Sequence, residues 1–281
     1  MTGPETDLPA QRLLRSAAVV HGATASTAPL APPSVARPGV LAASDDVAVL
    51  LLADVVATSR LWGWSRIVLG ATPLRGVPGL RLAKALGSGH EGGFGLRPSR
   101  SRQGLFALFS DEGSADAFIH TSATVRSYRH RCDEFLIAKL RATSSRGAWG
   151  GATMAATAPV MGAGQGQPGG LAAAGRVAAL TRASIRPTRA LQFWRHSPPS
   201  ERALARAPGC QLAVGLGEAP VLRQATFSVW ESQAAMDAYA RSGAHLEAAR
   251  GALAGDWFSE SMFVRFVPLL LQGRWLGRAY A

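Results

Sequence analysis

The chain has 281 residues, a hydrophobic share of 47% and a formal net charge of +12, which is material for one large domain or two of ordinary size. Its two cysteines, Cys132 and Cys210, stand far apart without CxxC or Cys/His ligand spacing, so neither a disulfide scaffold nor a zinc site is expected. The longest apolar runs, around 47–53 and 267–271, fall well short of the roughly 20 residues of a membrane-spanning helix, and no apolar h-region opens the chain, so the expected location is the cytoplasm.

Residues 1–43 are rich in Ala, Pro, Thr and Ser without periodicity. Such a stretch buries too little apolar surface to offset its ordering entropy and is expected to be a disordered tail. Two units of similar size follow, 44–150 and 176–281, separated by a Gly/Ala-rich stretch over 151–175 with the composition of a flexible linker. The units match each other in three places and in the same order. Pro78-Gly79-Leu80-Arg81-Leu82-Ala83 aligns with Pro208-Gly209-Cys210-Gln211-Leu212-Ala213; Phe106-Ala107-Leu108-Phe109 with Phe227-Ser228-Val229-Trp230; and Gly147-Ala148-Trp149 with Gly273-Arg274-Trp275. An internal repeat is the simplest explanation.

In the first unit, 47–56 reads as a strand and 58–69 as a helix. Two strands over 80–86 and 104–109, a helix over 114–121 introduced by Ser114, and a strand over 135–140 complete it. The second unit repeats that order: strand 177–185, helix 187–204 with Pro187 near its start, strands 211–216 and 221–230, helix 232–240 introduced by Ser232, and strand 262–267. The order β-α-β-β-α-β is the ferredoxin-like plait. Its sheet carries helices on one face only, so two plaits are expected to cover each other as a pseudo-symmetric, dimeric-type α+β barrel with an apolar pocket between the sheets.

No nucleophile elbow, phosphate loop, Rossmann fingerprint or HExxH motif is present. The Gly-rich run Gly87-Ser88-Gly89-His90-Glu91-Gly92-Gly93-Phe94-Gly95 lacks the Lys-Ser/Thr of a phosphate loop and reads as a hairpin tip or lid. RNA-recognition plaits carry stacking aromatics on their third strand, and here those positions hold Leu105 and Ala107, so nucleic acid is not an expected partner. Basic residues outnumber acidic ones 14 to 7 over 47–150 and 13 to 7 over 151–281, a spread rather than a stripe. That distribution fits a GC-rich coding composition, or a surface that steers anionic lipid head groups or an acidic redox partner. Histidine is the remaining ligand candidate: His245 just past the second-unit helix, His120 at the end of its counterpart, and His90 in the Gly-rich loop. Each is equally readable as a solvent-facing His at a helix end.

The second unit carries more specific wording. Val177-Ala178-Ala179-Leu180-Thr181-Arg182, Gly215-Leu216-Gly217-Glu218, Arg223-Gln224-Ala225-Thr226-Phe227-Ser228-Val229-Trp230, His245 and Trp257-Phe258-Ser259-Glu260 together resemble the spheroidene monooxygenase family of carotenoid-oxidising enzymes. Leu86-Gly87-Ser88-Gly89 and Arg146-Gly147-Ala148-Trp149 extend the resemblance, more loosely, into the first unit. The resemblance implies a haem-dependent monooxygenase that introduces hydroxyl and then keto oxygen into an acyclic carotenoid. It implies reduced ferredoxin as electron donor and a peripheral membrane contact. Haem-binding relatives of the plait hang the iron from a His on the second helix, which implies His245 as axial ligand, with Arg223 and Trp230 beside the cofactor. A non-catalytic haem- or lipophile-binding protein of the same fold is the alternative.

Overall fold

A computed structural model describes residues 46–157 and 175–281, apart from Phe94, Leu96 and Pro220; the tail expected over 1–43 and most of the linker expected over 151–175 lie outside the described residues. The first unit runs β1 (Val47–Val55), α1 (Arg60–Leu69), β2 (Leu80–Gly89), β3 (Pro98–Phe109), α2 (Glu112–Thr121), α3 (Ala123–Arg129) and β4 (Cys132–Gly147). The second runs β5 (Val177–Ile185), α4 (Ala190–Ala205), β6 (Cys210–Ala219), β7 (Arg223–Trp230), α5 (Gln233–Ala240), α6 (Gly243–Ala254) and β8 (Phe258–Trp275), with a short β9 (Arg278–Tyr280) on its edge.

Within the units the strands lie side by side as β4-β1-β3-β2 and β6-β7-β5-β8, all antiparallel. The two sheets then join edge to edge. β2 meets β6 through only two residue pairs, Gly87 opposite Gly217 and Ser88 opposite Leu216, whereas β4 and β8 zip from Leu136–Gly273 to Gly147–Met262. Among the described residues eight strands thus close on themselves, with β9 alone outside the ring. Closure satisfies the edge groups that an open plait would expose.

Both faces of the wall are covered, which explains why β1 reads as an unbroken apolar run rather than an alternating one. Ala48, Leu50 and Leu52 point inward with Phe106, Leu108, Leu180, Phe227 and Phe266; Val47, Val49 and Leu51 point outward against Phe118 and Ile119 of α2 and Val125 and Tyr128 of α3. The smaller outer core of the second unit holds Leu204, Trp230 and Met236. The barrel interior is therefore packed with side chains (Phe106 stacks on Trp149 at 5.0 Å), and the apolar pocket expected between the two sheets is replaced by a solid core.

Several local expectations need correcting. Asp111, not Ser114, caps α2: its carboxylate accepts the Ser114 backbone N–H at 2.7 Å, a stronger anchor at the positive end of the helix. Ser232 does cap α5, accepting from the Ala235 N–H at 3.2 Å. Val221 lies in a turn with φ of 71° rather than opening a strand. Two further helices, α3 and α6, escape the sequence reading. The last strand of each unit is far longer than expected because it pairs along the seam with its counterpart. Pro268 is tolerated in β8 because the register shifts there, opposite Leu140.

Candidate functional site

A cleft of about 240 Å³ lies at the thin β2–β6 junction, between α1 of one unit and α4 of the other. Its lining comes in pairs related by the internal repeat: Trp64 with Trp194, Gly87 with Gly217, and Gln103 with Gln224. The cleft therefore sits on the pseudo-twofold axis. The paired glycines keep its floor flat; at Gly217 a Cβ would lie 2.9 Å from the Arg223 carbonyl oxygen. The Gly-rich loop contributes Gly93 and Gly95 to the rim, and β3 contributes Ser99 and Arg100.

Gln103 is the unusual member. Its neighbours on the outer face of β3, Leu105 and Ala107, belong to the apolar core under the helices. Gln103 itself is 4% exposed, yet its Oε1 is buried without a hydrogen-bond partner among the described residues. Gly63 of α1 makes the room, since a Cβ there would fall 2.8 Å from Gln103 Nε2 and 3.3 Å from Val55. A buried, unpaired acceptor is costly, and Gln103 is a lining residue of the cleft whose Oε1 is turned away from solvent.

Glu218 brings a carboxylate to the same cleft. Trp149 Nε1 donates to it at 2.7 Å, and Lys84 and Arg182 pair with it at 2.9 Å and 3.1 Å. Arg182 also bonds Glu260 and lies over the Trp149 ring. Burial acts to raise the Glu218 pKa, but hydrogen bonds from Lys84 and Trp149 and the charges of Lys84 and Arg182 outweigh it, and the pKa ends below its usual value. The carboxylate stays ionised at neutral pH.

The structure splits the residues expected beside a cofactor. His245 lies on the first turn of α6, and Tyr239 stacks between it and Trp230, with ring centroids 4.8 Å and 5.4 Å away. Arg223 is exposed at the opposite end of β7 from Trp230, roughly 23 Å away at strand rise. Trp230 is fully buried and donates its Nε1–H to Ser228 at 2.9 Å. As a haem donor His245 has the needed chemistry: its Nδ1 lies 3.1 Å from the Ala240 carbonyl, which can only accept, so Nε2 keeps its lone pair. Burial lowers its pKa, the Ala240 contact offsetting only part of that, so the ring is neutral at pH 7. His245 does not line the cleft, and no His, Cys, Met or Tyr is among the described residues that line it. Helix α4 links the two places. Trp194 faces the cleft, and the Ser200 carbonyl accepts the Tyr239 hydroxyl at 3.1 Å, roughly 9 Å further along the axis. Among the described residues no group of three or more His, Cys, Asp or Glu converges as a metal site.

One sequence signal for the cleft goes unused when the repeat is aligned only on its apolar runs. Arg102-Gln103-Gly104-Leu105-Phe106 matches Arg223-Gln224-Ala225-Thr226-Phe227, a polar pair kept at the same place in both copies. Leu61-Trp62-Gly63-Trp64 likewise matches Leu191-Gln192-Phe193-Trp194.

Comparison with known proteins places the chain. It is 57% identical over 238 residues to a spheroidene monooxygenase of Rubrivivax gelatinosus, covering 85% of this chain and 88% of that protein. It is 32% identical to the spheroidene monooxygenase of Rhodobacter capsulatus, covering 83% and 94%. No protein-family model matches. Solved structures overlap it more loosely. An aldoxime dehydratase in complex with butyraldoxime is 14% identical at a TM-score of 0.48, covering 81% of each chain. An anthrone oxidase-like protein is 13% identical at 0.30, covering 84% of this chain and 97% of its own.

Proposed function

The chain belongs to the spheroidene monooxygenase family and is a monooxygenase, and on that footing we propose that it oxidises an acyclic carotenoid whose end group enters the cleft on the pseudo-twofold axis. The observation that carries the placement is the cleft itself: tryptophans and glycines on its walls, and among its lining residues Gln103, whose buried Oε1 has no partner among the described residues and would meet a ligand on turning of the side chain. An apolar polyene leaves that acceptor unpaired. The first oxidation product, an alcohol, supplies the missing O–H.

In each round one dioxygen takes up two electrons and two protons, one oxygen atom enters a C–H bond and the other leaves as water. A second round at the same carbon gives a geminal diol, which loses water to the ketone. Gln103 favours that second round by holding the carbinol where it formed, because release would strand the buried acceptor again. Trp64 and Trp194 flank the chain of the substrate and exclude water, and the ionised Glu218, held by Lys84, Arg182 and Trp149, fixes a negative charge at the cleft floor. We further propose that His245 Nε2, with Tyr239 stacked between the imidazole and Trp230, would hold a haem, which would supply the activation of dioxygen from a position outside the residues that line the cleft. Reduced ferredoxin is proposed as the electron donor. What supports it is the Arg excess on both units, which attracts an acidic protein.

The test is expression of the chain in a host that accumulates an acyclic carotenoid, with pigments identified by mass. A gain of oxygen that Gln103→Leu biases toward the alcohol supports the reading; an unchanged pigment profile sinks it. Separately, purified protein is expected to show a Soret band that His245→Ala removes or shifts. Colourless protein from haem-replete cells rejects the haem assignment alone.

A further inference from the structure

At the mouth of the cleft several exposed apolar residues stand beside arginines that form no ion pair among the described residues. On α1, Leu61 (88% exposed), Trp64 (49%) and Val68 (82%) recur at helical spacing on one face. On α4, Leu191 (67% exposed) stands one turn before Trp194, the place that Leu61 holds relative to Trp64. Val221 completes the apolar rim from the β6–β7 turn. The three segments that build this rim, 57–76, 92–109 and 186–200, hold nine Arg and not one Asp or Glu. Of these, Arg60, Arg97, Arg100 and Arg195 are exposed and form no ion pair among the described residues.

We propose that this face docks the protein, cleft mouth first, on the surface of an anionic lipid bilayer. The proposal rests on the reading of the substrate as a membrane-dissolved polyene, for which it names the route of entry. Protruding Leu, Val and Trp side chains beside Arg match both layers of a bilayer surface: the apolar groups enter the acyl boundary and the guanidinium groups stay with the phosphates. An acidic protein would satisfy the arginines but would set Leu61, Val68 and Leu191 against a polar surface. A second copy would bring one Arg-rich rim against another. No helix among the described residues is long and apolar enough to cross a membrane, so the contact is one of lying on the bilayer.

The full-length protein is spun down with vesicles of phosphatidylcholine alone and of phosphatidylcholine with phosphatidylglycerol. It is expected to pellet with the anionic vesicles and to be released as salt rises. Leu61→Glu/Leu191→Glu, neither residue lining the cleft, is expected to bind about tenfold more weakly or worse. Arg97→Gln/Arg195→Gln tests the cationic half independently, should the first variant fold poorly, and is expected to weaken binding to the anionic vesicles only. The idea is overturned if the unsubstituted protein stays in the supernatant with anionic vesicles, or if both double variants bind as it does. It is also overturned if gel filtration shows a dimer that the leucine variant dissolves. Binding is read without turnover, so protein that docks but leaves the carotenoid unchanged counts against the substrate reading and leaves the docking face standing.

Discussion

Arg182 offers the sharpest quantitative test of the site's electrostatics. Its side chain is 4% exposed inside the barrel wall, with Glu218 at 3.1 Å, Glu260 bonded to its other terminal nitrogen, and the Trp149 ring beneath. Arg182→Met keeps much of the volume and removes the charge. Breaking a buried ion pair by deleting one partner costs about 3–5 kcal/mol. Here Lys84 still pairs with Glu218, and Glu260 is partly hydrated and keeps the Gly151 N–H at 3.1 Å. The low end, about 3 kcal/mol, is therefore expected. For a chain of this size each kcal/mol moves Tm by about 2–4 °C, so the melting temperature should fall by about 6–12 °C, measured by scanning calorimetry at pH 7. Burial opposes ionisation of both carboxylates. Lys84 and Trp149 for Glu218, and the Gly151 N–H and Arg182 for Glu260, more than offset it, so both pKa values lie below 4.5. Groups depressed in this way contribute stability above the unfolded value of about 4.5 and lose it as pH falls through the folded values. The gap between the unsubstituted protein and the variant should thus be full from pH 6 to 8 and close below about pH 4.5. A Tm loss under about 2 °C at neutral pH, or a gap that widens on acidification, would refute the reasoning.

Gln103→Leu should leave Tm unchanged or raise it, because it deletes an unpaired buried acceptor, while the ketone-to-alcohol product ratio drops by roughly 2- to 10-fold; pigment mass spectrometry reads the ratio. Gly273→Ala should cost about 3–5 kcal/mol in a urea melt, since φ is 122° and the Cβ would sit 2.1 Å from the Phe135 carbonyl oxygen across the β4–β8 seam. Gly70→Ala, at φ of 56° and ψ of −129° with open space around it, meets no clash but a backbone conformation that only glycine adopts readily, and should cost about 1–3 kcal/mol. The neutral, half-buried His245 contributes stability that is whole above pH 6.5 and declines as pH falls toward its depressed folded pKa. Replacing it with Phe should flatten the Tm profile between pH 7 and 5, and an unchanged slope would contradict the burial.

Much of the chain's plan could be read without coordinates because it depends on local periodicity and on repetition. The strand runs at 47–56 and 177–185 fall where β1 and β5 lie, and the duplicated order of elements leads to the α+β barrel. The helices α3 and α6 are missed for a physical reason. Ala123–Arg129 spans barely two turns, and α6, reading GAHLEAARGALA, is rich in Ala and Gly and buries no residue fully, so its apolar stripe is faint. Of the residues expected around a cofactor, His245 and Trp230 come together only through Tyr239, and Arg223 stands apart. Nothing in strand spacing reveals that Tyr239 bridges them, because the contact joins β7, α5 and α6.

By itself the sequence determined the duplicated βαββαβ unit, the strands apolar on both faces and the family to which the second unit's wording points, since all of these are carried by residue type and short-range order. Tertiary structure decided how the copies meet. The plaits join edge to edge, so their inner faces fill a shared core rather than enclosing a pocket, and the cavity moves outward to the axis where Gly87 faces Gly217. That choice depends on the register of two long seam strands and on glycines packed against opposing backbone at Gly147 and Gly273. Such pairings span more than a hundred residues, and no local pattern encodes them.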